Sequence, residues 1–120
     1  MTIFHIAHAA DWDAALRDGT YRVSRRGATL ESTGFIHAST AAQLDGVASR
    51  FYSDDSEPLV VLEIDEAAAA ASGIEVRLED GGGELFPHLY GPILPSFVTR
   101  VSTARFDCDG RFTVEGDAAK

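Results

Sequence analysis

The sequence predicts a single α+β domain. Three observations carry that expectation: strand-like segments alternate with short amphipathic helical ones, a β-branched apolar run sits mid-chain, and a hairpin signature closes the C-terminal part. At 120 residues, 45% of them apolar, the chain can bury one modest core. The domain is expected to occupy residues 1–114, with residues 115–120 as a frayed tail.

Residues 2–7, TIFHIA, alternate so that Phe4 and Ile6 share one face and Ile3, His5 and Ala7 the other, the period-two pattern of a strand. Asp11 reads as the cap of a short helix from Trp12 to about Asp18, stopped by Gly19. Residues 20–33 are polar and aperiodic, and so long a connection in a small domain is more often functional than idle. GFIHAST, residues 34–40, ends a short strand anchored by Phe35 and Ile36. Thr40 and Gln43 then match a capping box, and Leu44, Val47, Ala48 and Phe51 recur at helical spacing to about Tyr52.

LVVLEID, residues 59–65, is almost continuously apolar and predicts a central strand covered on both faces. Asp65 and Glu66 open an alanine-rich helical turn that Gly73 closes. IEVRLE, residues 74–79, alternates as a strand with one wet face. DGGGELFPHLYGPILP holds too many glycines and prolines for a long regular element and too many apolar side chains for a solvated loop. It is therefore predicted to pack on the core as an irregular wall. Phe97–Phe106 and Arg111–Val114 read as strands flanking an Asp109-Gly110 turn.

The formal charge of −9 argues against a protein that grips nucleic acid by neutralising phosphates. The N-terminus has no basic lead-in and no long apolar run, so neither a signal peptide nor a membrane span is expected. A lone Cys108 leaves no internal disulfide and no multi-cysteine zinc site, which suits a soluble, cytoplasmic protein. Arg17, Arg22, Arg25 and Arg26 nevertheless crowd into one window whose only acid is Asp18. Such a window can hold a small anionic ligand or nucleotide, or be a solvated loop; the two readings weigh equally.

His5, His37 and His88 each sit where an apolar segment meets a turn or a cap. Any one of them alone is more often a core histidine satisfied by backbone groups. Three on separate segments point instead to a shared site, where imidazoles can hold hydroxyls or move protons. With Glu84 they could also form a metal site, but no metal-binding spacing is present and no metal is expected. Ser39 and Thr40 lie in no nucleophile elbow. Glu84 follows three glycines on the segment that carries His88, and those glycines read first as a turn.

The order IFHIA, GFIHAST with AAQL, LVVLEID and ELFPHLYGPI resembles the bacterial family known as domain of unknown function 952, over nearly the whole stretch from Thr2 to about Val101. That family is similar in fold to the ADP-ribosyltransferases, and to their RNA 2′-phosphotransferase branch in particular. The resemblance implies a split β-sheet core with two or three short helices and NAD in a cleft. A His-Gly-Thr type strand end resembles His5 in FHIA, a His-x-Ser element resembles His37-Ala38-Ser39, and a Val-Leu-x-Ile-Asp strand resembles residues 61–65.

It further implies that His5 and Ser39 contact the nicotinamide ribose or amide, that Arg22, Arg25 and Arg26 lie near the pyrophosphate, and that Tyr90 joins them. His37, beside the nicotinamide ribose, is an implied catalytic residue, and either Glu84 or His88 on the ELFPH segment fills the third catalytic position, Glu84 being the first candidate to face the positive charge that develops as the nicotinamide bond breaks. The chain departs from that branch in lacking its basic RNA-gripping domain and a Glu-x-Glu pair. Three readings follow: an NAD-dependent ADP-ribosyltransferase-like enzyme, a non-catalytic ligand-binding module, and, behind both, a histidine metal site.

Overall fold

In the computed structural model, which describes residues 2–117 and side chains through residue 115, the main sheet is antiparallel. Its strands are β1 (Thr2–His8), β5 (Leu59–Asp65), β8 (Val98–Phe106) and β9 (Phe112–Asp117), in that spatial order. LVVLEID lies between β1 and β8 and is buried on both faces, which explains its nearly continuous apolar run. Val60, Leu62 and Ile64 join Ile3 and Ala7 in one core cluster, while Leu59 and Val61 join Ile6 in a second on the opposite face.

Helices close both faces. On the first lie α1 (Ala9–Asp18), which buries Trp12 and Ala15, and α4 (Glu66–Ala71), capped by the Asp65 carboxylate accepting from the Ala67 amide at 3.0 Å. On the second lies α3 (Leu44–Tyr52), entered through a 3-10 turn at Ala41–Gln43 and burying Leu44, Val47, Ala48 and Tyr52. A second sheet, in the order β4 (Ile36–His37), β7 (Leu85–Leu89), β6 (Val76–Asp80), continues from the free edge of β1. The joint is a backbone pair in which Phe4 and Ser39 exchange two hydrogen bonds of 2.8 Å.

Several expectations are corrected. Helix α1 begins at Ala9 with His8 at its cap; Asp11 lies inside the first turn, where a carboxylate meets the positive helix end and sits 3.5 Å from His8. Residues 20–33 are ordered as a small hairpin, β2 (Val23–Arg25) and β3 (Ala28–Thr29), running into the one-turn helix α2 (Leu30–Thr33). A reciprocal Thr29–Ser32 capping box holds that turn. The structure thus has four α-helices among the described residues, not two or three. Strand β9 continues to Asp117, into the segment expected to fray, and residues 118–120 of that expected tail lie outside the described residues.

The expected irregular wall is in part a regular strand, β7, despite Pro87 at its centre. Proline is tolerated there because its carbonyl and absent N–H face the β4 side. The carbonyl accepts from the Ala38 amide at 3.0 Å, so this pair keeps one of its two bonds, and because β4 has already ended at His37 the bond that Pro87 cannot donate is lost only past the strand's end. The glycines before β7 form the turn of the β6–β7 hairpin: Gly82 and Gly83 have φ of 98° and 100°, which side-chain-bearing residues rarely adopt.

Candidate functional site

One face of the second sheet floors a cavity of about 550 Å³, within the usual size for a small-molecule site of roughly 300–1,000 Å³. Strand register places His37 beside His88 and Arg77 on the other side of His88. Because the neighbouring Ala38–Pro87 pair carries the hydrogen bond, His37 and His88 face each other where side chains approach most closely. Their ring centroids are 5.5 Å apart.

The two histidines differ in environment. His88 is buried, its ring stacked on Phe35 with centroids 3.9 Å apart and planes inclined by 17°. Its Nδ1 lies 2.9 Å from Glu79 Oε1, and the Tyr90 hydroxyl donates to the same oxygen. A carboxylate oxygen only accepts, so Nδ1 carries the proton, and Nε2 is the ring nitrogen without a protein partner among the described residues. The Tyr90 bond first, and the His88 bond second, hold the Glu79 carboxyl below its ordinary range, and the same Glu79 bond raises Tyr90.

His37 has no hydrogen-bond partner for its buried Nε2. Burial, then the neighbouring His5, His88, Arg25 and Arg50, lower its pKa to about 4, so at neutral pH it is an uncharged imidazole.

The opposite wall comes from α3 and β2. Arg25 and Arg50 set their guanidinium carbons 5.0 Å and 5.2 Å from the centroid of the one Phe51 ring. Neither forms an ion pair with a carboxylate among the described residues. At the rim, the Gly81 amide donates to the Glu84 carbonyl at 2.8 Å and the Gly83 amide to Asp80 Oδ1 at 2.8 Å, closing the glycine turn. Gly81 must be bare, since a Cβ there would stand 2.7 Å from the Phe86 ring on the cavity floor. Gln43 ties the entry of α3 to this turn, donating to Glu84 Oε1 at 3.1 Å and to the Leu85 carbonyl at 2.7 Å.

Of the residues expected from sequence, His37, His88, Glu84 and Arg25 line this cavity. The others lie elsewhere. His5 is buried in the core, its Nδ1 donating to the His37 carbonyl at 2.6 Å and its Nε2 accepting from Tyr21 at 2.9 Å, so both ring nitrogens are satisfied. It supports His37 through the backbone. Ser39 is buried at the joint of the two sheets. Alternation along the hairpin disperses the arginines: Arg22 points outward to Glu31 at 3.7 Å, and Arg26 binds Asp54 and Asp55. Tyr90 stands behind the cavity, acting on His88 through Glu79. Among the described residues no group of three or more His, Cys, Asp or Glu could hold a metal ion, because His5 is turned away from the histidine pair.

Sequence reading missed Glu79, Arg50 and Phe51 as site residues, and Phe35 packs on His88 where it was expected to anchor a strand. A signal for Glu79 did exist. IEVRLE and LFPHL on either side of a glycine turn form a hairpin pattern, which puts Glu79 diagonal to His88 once Pro87 is accepted in the strand.

Residues 6–101 match the profile of the family described as "Protein of unknown function (DUF952)". The chain belongs to the DUF952 family. Cavity residues from Ser24 to His88 all lie within the DUF952 match, and His5 falls one position before it. The chain is similar to protein CC0527 from Caulobacter crescentus, whose X-ray structure is 33% identical, with a TM-score of 0.78 and 94% of each chain covered. The solution NMR structure of CC0527 is similar at 32% identity and a TM-score of 0.72, covering 92% of this chain and 90% of that one. No curated protein matches the chain.

Proposed function

We propose that the cavity binds a phosphate-bearing nucleotide, NAD or a relative of it. The observation that carries this reading is the pair Arg25 and Arg50, two guanidinium groups on one phenyl ring without a carboxylate partner among the described residues. Like charges so placed repel, and an anion between them relieves the repulsion while gaining bidentate hydrogen bonds. Phe35, Phe51 and Phe86 offer flat apolar walls to a base or nicotinamide ring. The likeness to ADP-ribosyltransferases adds NAD as the first nucleotide to test, with Glu84 at the rim as the carboxylate for charge developing at the ribose.

The test is thermal unfolding with NAD, ADP-ribose, ADP and adenosine at millimolar concentration, at low and high salt. NAD, ADP-ribose and ADP raise Tm, and the shift shrinks with salt; adenosine raises it far less. Equal shifts with adenosine and ADP, or none with any ligand, overturn the reading. Binding without turnover is the second reading. It is favoured by the hydrogen bond that holds Glu84 on Gln43, and absence of nicotinamide release alongside an NAD-dependent Tm shift would establish it.

A further inference from the structure

Three constraints converge on His88. The Phe35 stack fixes its ring plane, Glu79 fixes the proton on Nδ1, and the strand register sets it against His37 at the cavity floor. Among the described residues its Nε2 has no hydrogen-bond partner, so in the neutral ring its lone pair is left for whatever enters. A base held by a carboxylate, itself held by a third group, is the arrangement by which proteins present a proton acceptor in one orientation. His37, uncharged and without a carboxylate of its own, lacks that support.

We propose that His88 is a general base that activates a water molecule or an acceptor hydroxyl against the bound nucleotide, with Glu79 and Tyr90 as positioning residues. The proposal rests on the nucleotide reading above. With NAD, the oxygen of the water or acceptor bonds to the anomeric carbon of the nicotinamide ribose as the bond from that carbon to the ring nitrogen breaks. The bonding pair leaves with the ring, giving neutral nicotinamide, and the hydroxyl proton passes to His88 Nε2. Nothing is oxidised or reduced.

The test joins a spectroscopic and a kinetic readout on the whole chain. In ligand-free wild type, the nitrogen-15 shifts of the His88 ring report Nδ1 protonated and Nε2 bare; in Glu79→Ala that preference is lost. Nicotinamide release by Glu79→Ala falls about 100-fold or more in kcat, with KM within about 2-fold of wild type. Glu79→Gln, which keeps the packing, lies between. His88→Ala loses at least as much, and the double variant loses little more, because the two residues act as a unit.

A wild-type His88 protonated at Nε2, or unchanged kcat in Glu79→Ala, overturns the proposal. NAD binding without nicotinamide release by wild type overturns the base and leaves the nucleotide site standing. Absence of binding by NAD, ADP-ribose and ADP alike overturns both.

Discussion

Arg50→Ala should separate binding from folding. Both guanidinium carbons lie about 5 Å from the Phe51 centroid, so the two cations stand no more than about 10 Å apart, close to one Debye length. Both side chains are exposed, so the water limit applies, and their repulsion is worth about 0.4 kcal/mol before screening. Removing Arg50 relieves that repulsion and forfeits one exposed cation–π contact of about 0.5–1 kcal/mol. The two effects nearly cancel, and urea unfolding should place the variant within about 1 kcal/mol of wild type. Ligand binding should respond differently. A hydrogen bond from a charged donor to phosphate contributes about 1.5–3 kcal/mol, so calorimetric titration with ADP-ribose should show Kd weakened about 10- to 150-fold and a shallower salt dependence. Wild-type affinity in a folded Arg50→Ala, or a loss of stability well beyond 1 kcal/mol, would refute the reasoning.

Burial lowers the His5 pKa from 6.5 to about 4, against the opposing pull of its bond to the His37 carbonyl. The unfolded chain therefore binds more protons than the folded one between those values, so the stability that His5 contributes is full above pH 6.5 and lost as pH falls towards 4, with a limiting slope of about 1.4 kcal/mol per pH unit, and His37, lowered to about 4 as well, adds a like slope over the same window. His5→Asn, which can still donate to that carbonyl, should show a shallower slope in urea unfolding over this window; an unchanged slope contradicts the assignment. Gly46 lies inside α3 with nothing within 4 Å of a built Cβ, and it lines the cavity. Gly46→Ala should raise stability by about 0.5–1 kcal/mol while weakening nucleotide binding. Gly81→Ala, forced against Phe86, should cost about 1–3 kcal/mol by the same unfolding assay. Leu62, wholly buried at the centre of β5, should cost about 2–5 kcal/mol on replacement by alanine.

The α+β class and the long elements are legible because period and burial coincide in them. LVVLEID is apolar but for Glu63 and Asp65 and is covered on both faces, and the β8–β9 hairpin follows its Asp-Gly turn. Local signals mislead where tertiary contacts override them. Pro87 argues against a strand until it is known that it lies opposite the residue just past the end of β4, where its missing N–H costs a single bond. Asp11 looks like a cap, but the chain leaves β1 directly into α1 at Ala9.

Among the site residues, His37 and His88 are legible because each sits where an apolar segment meets a turn or a cap. His5 carried the same local signature and is a core residue, a difference decided by Tyr21 sixteen positions away. The carboxylate of the site was sought at Glu84, on the same segment as His88. The one that touches His88 is Glu79, across a hairpin whose register only the fold sets.

The most direct test of the central claim is an NMR titration of the labelled protein with NAD, following the Arg side-chain Nε–H signals and the histidine rings. Nucleotide binding in the cavity should give saturable shifts at Arg25, Arg50, His37 and His88, with His8 and the Arg26 ion pair unmoved. No shifts at millimolar NAD, or shifts confined to residues outside the cavity, would contradict it.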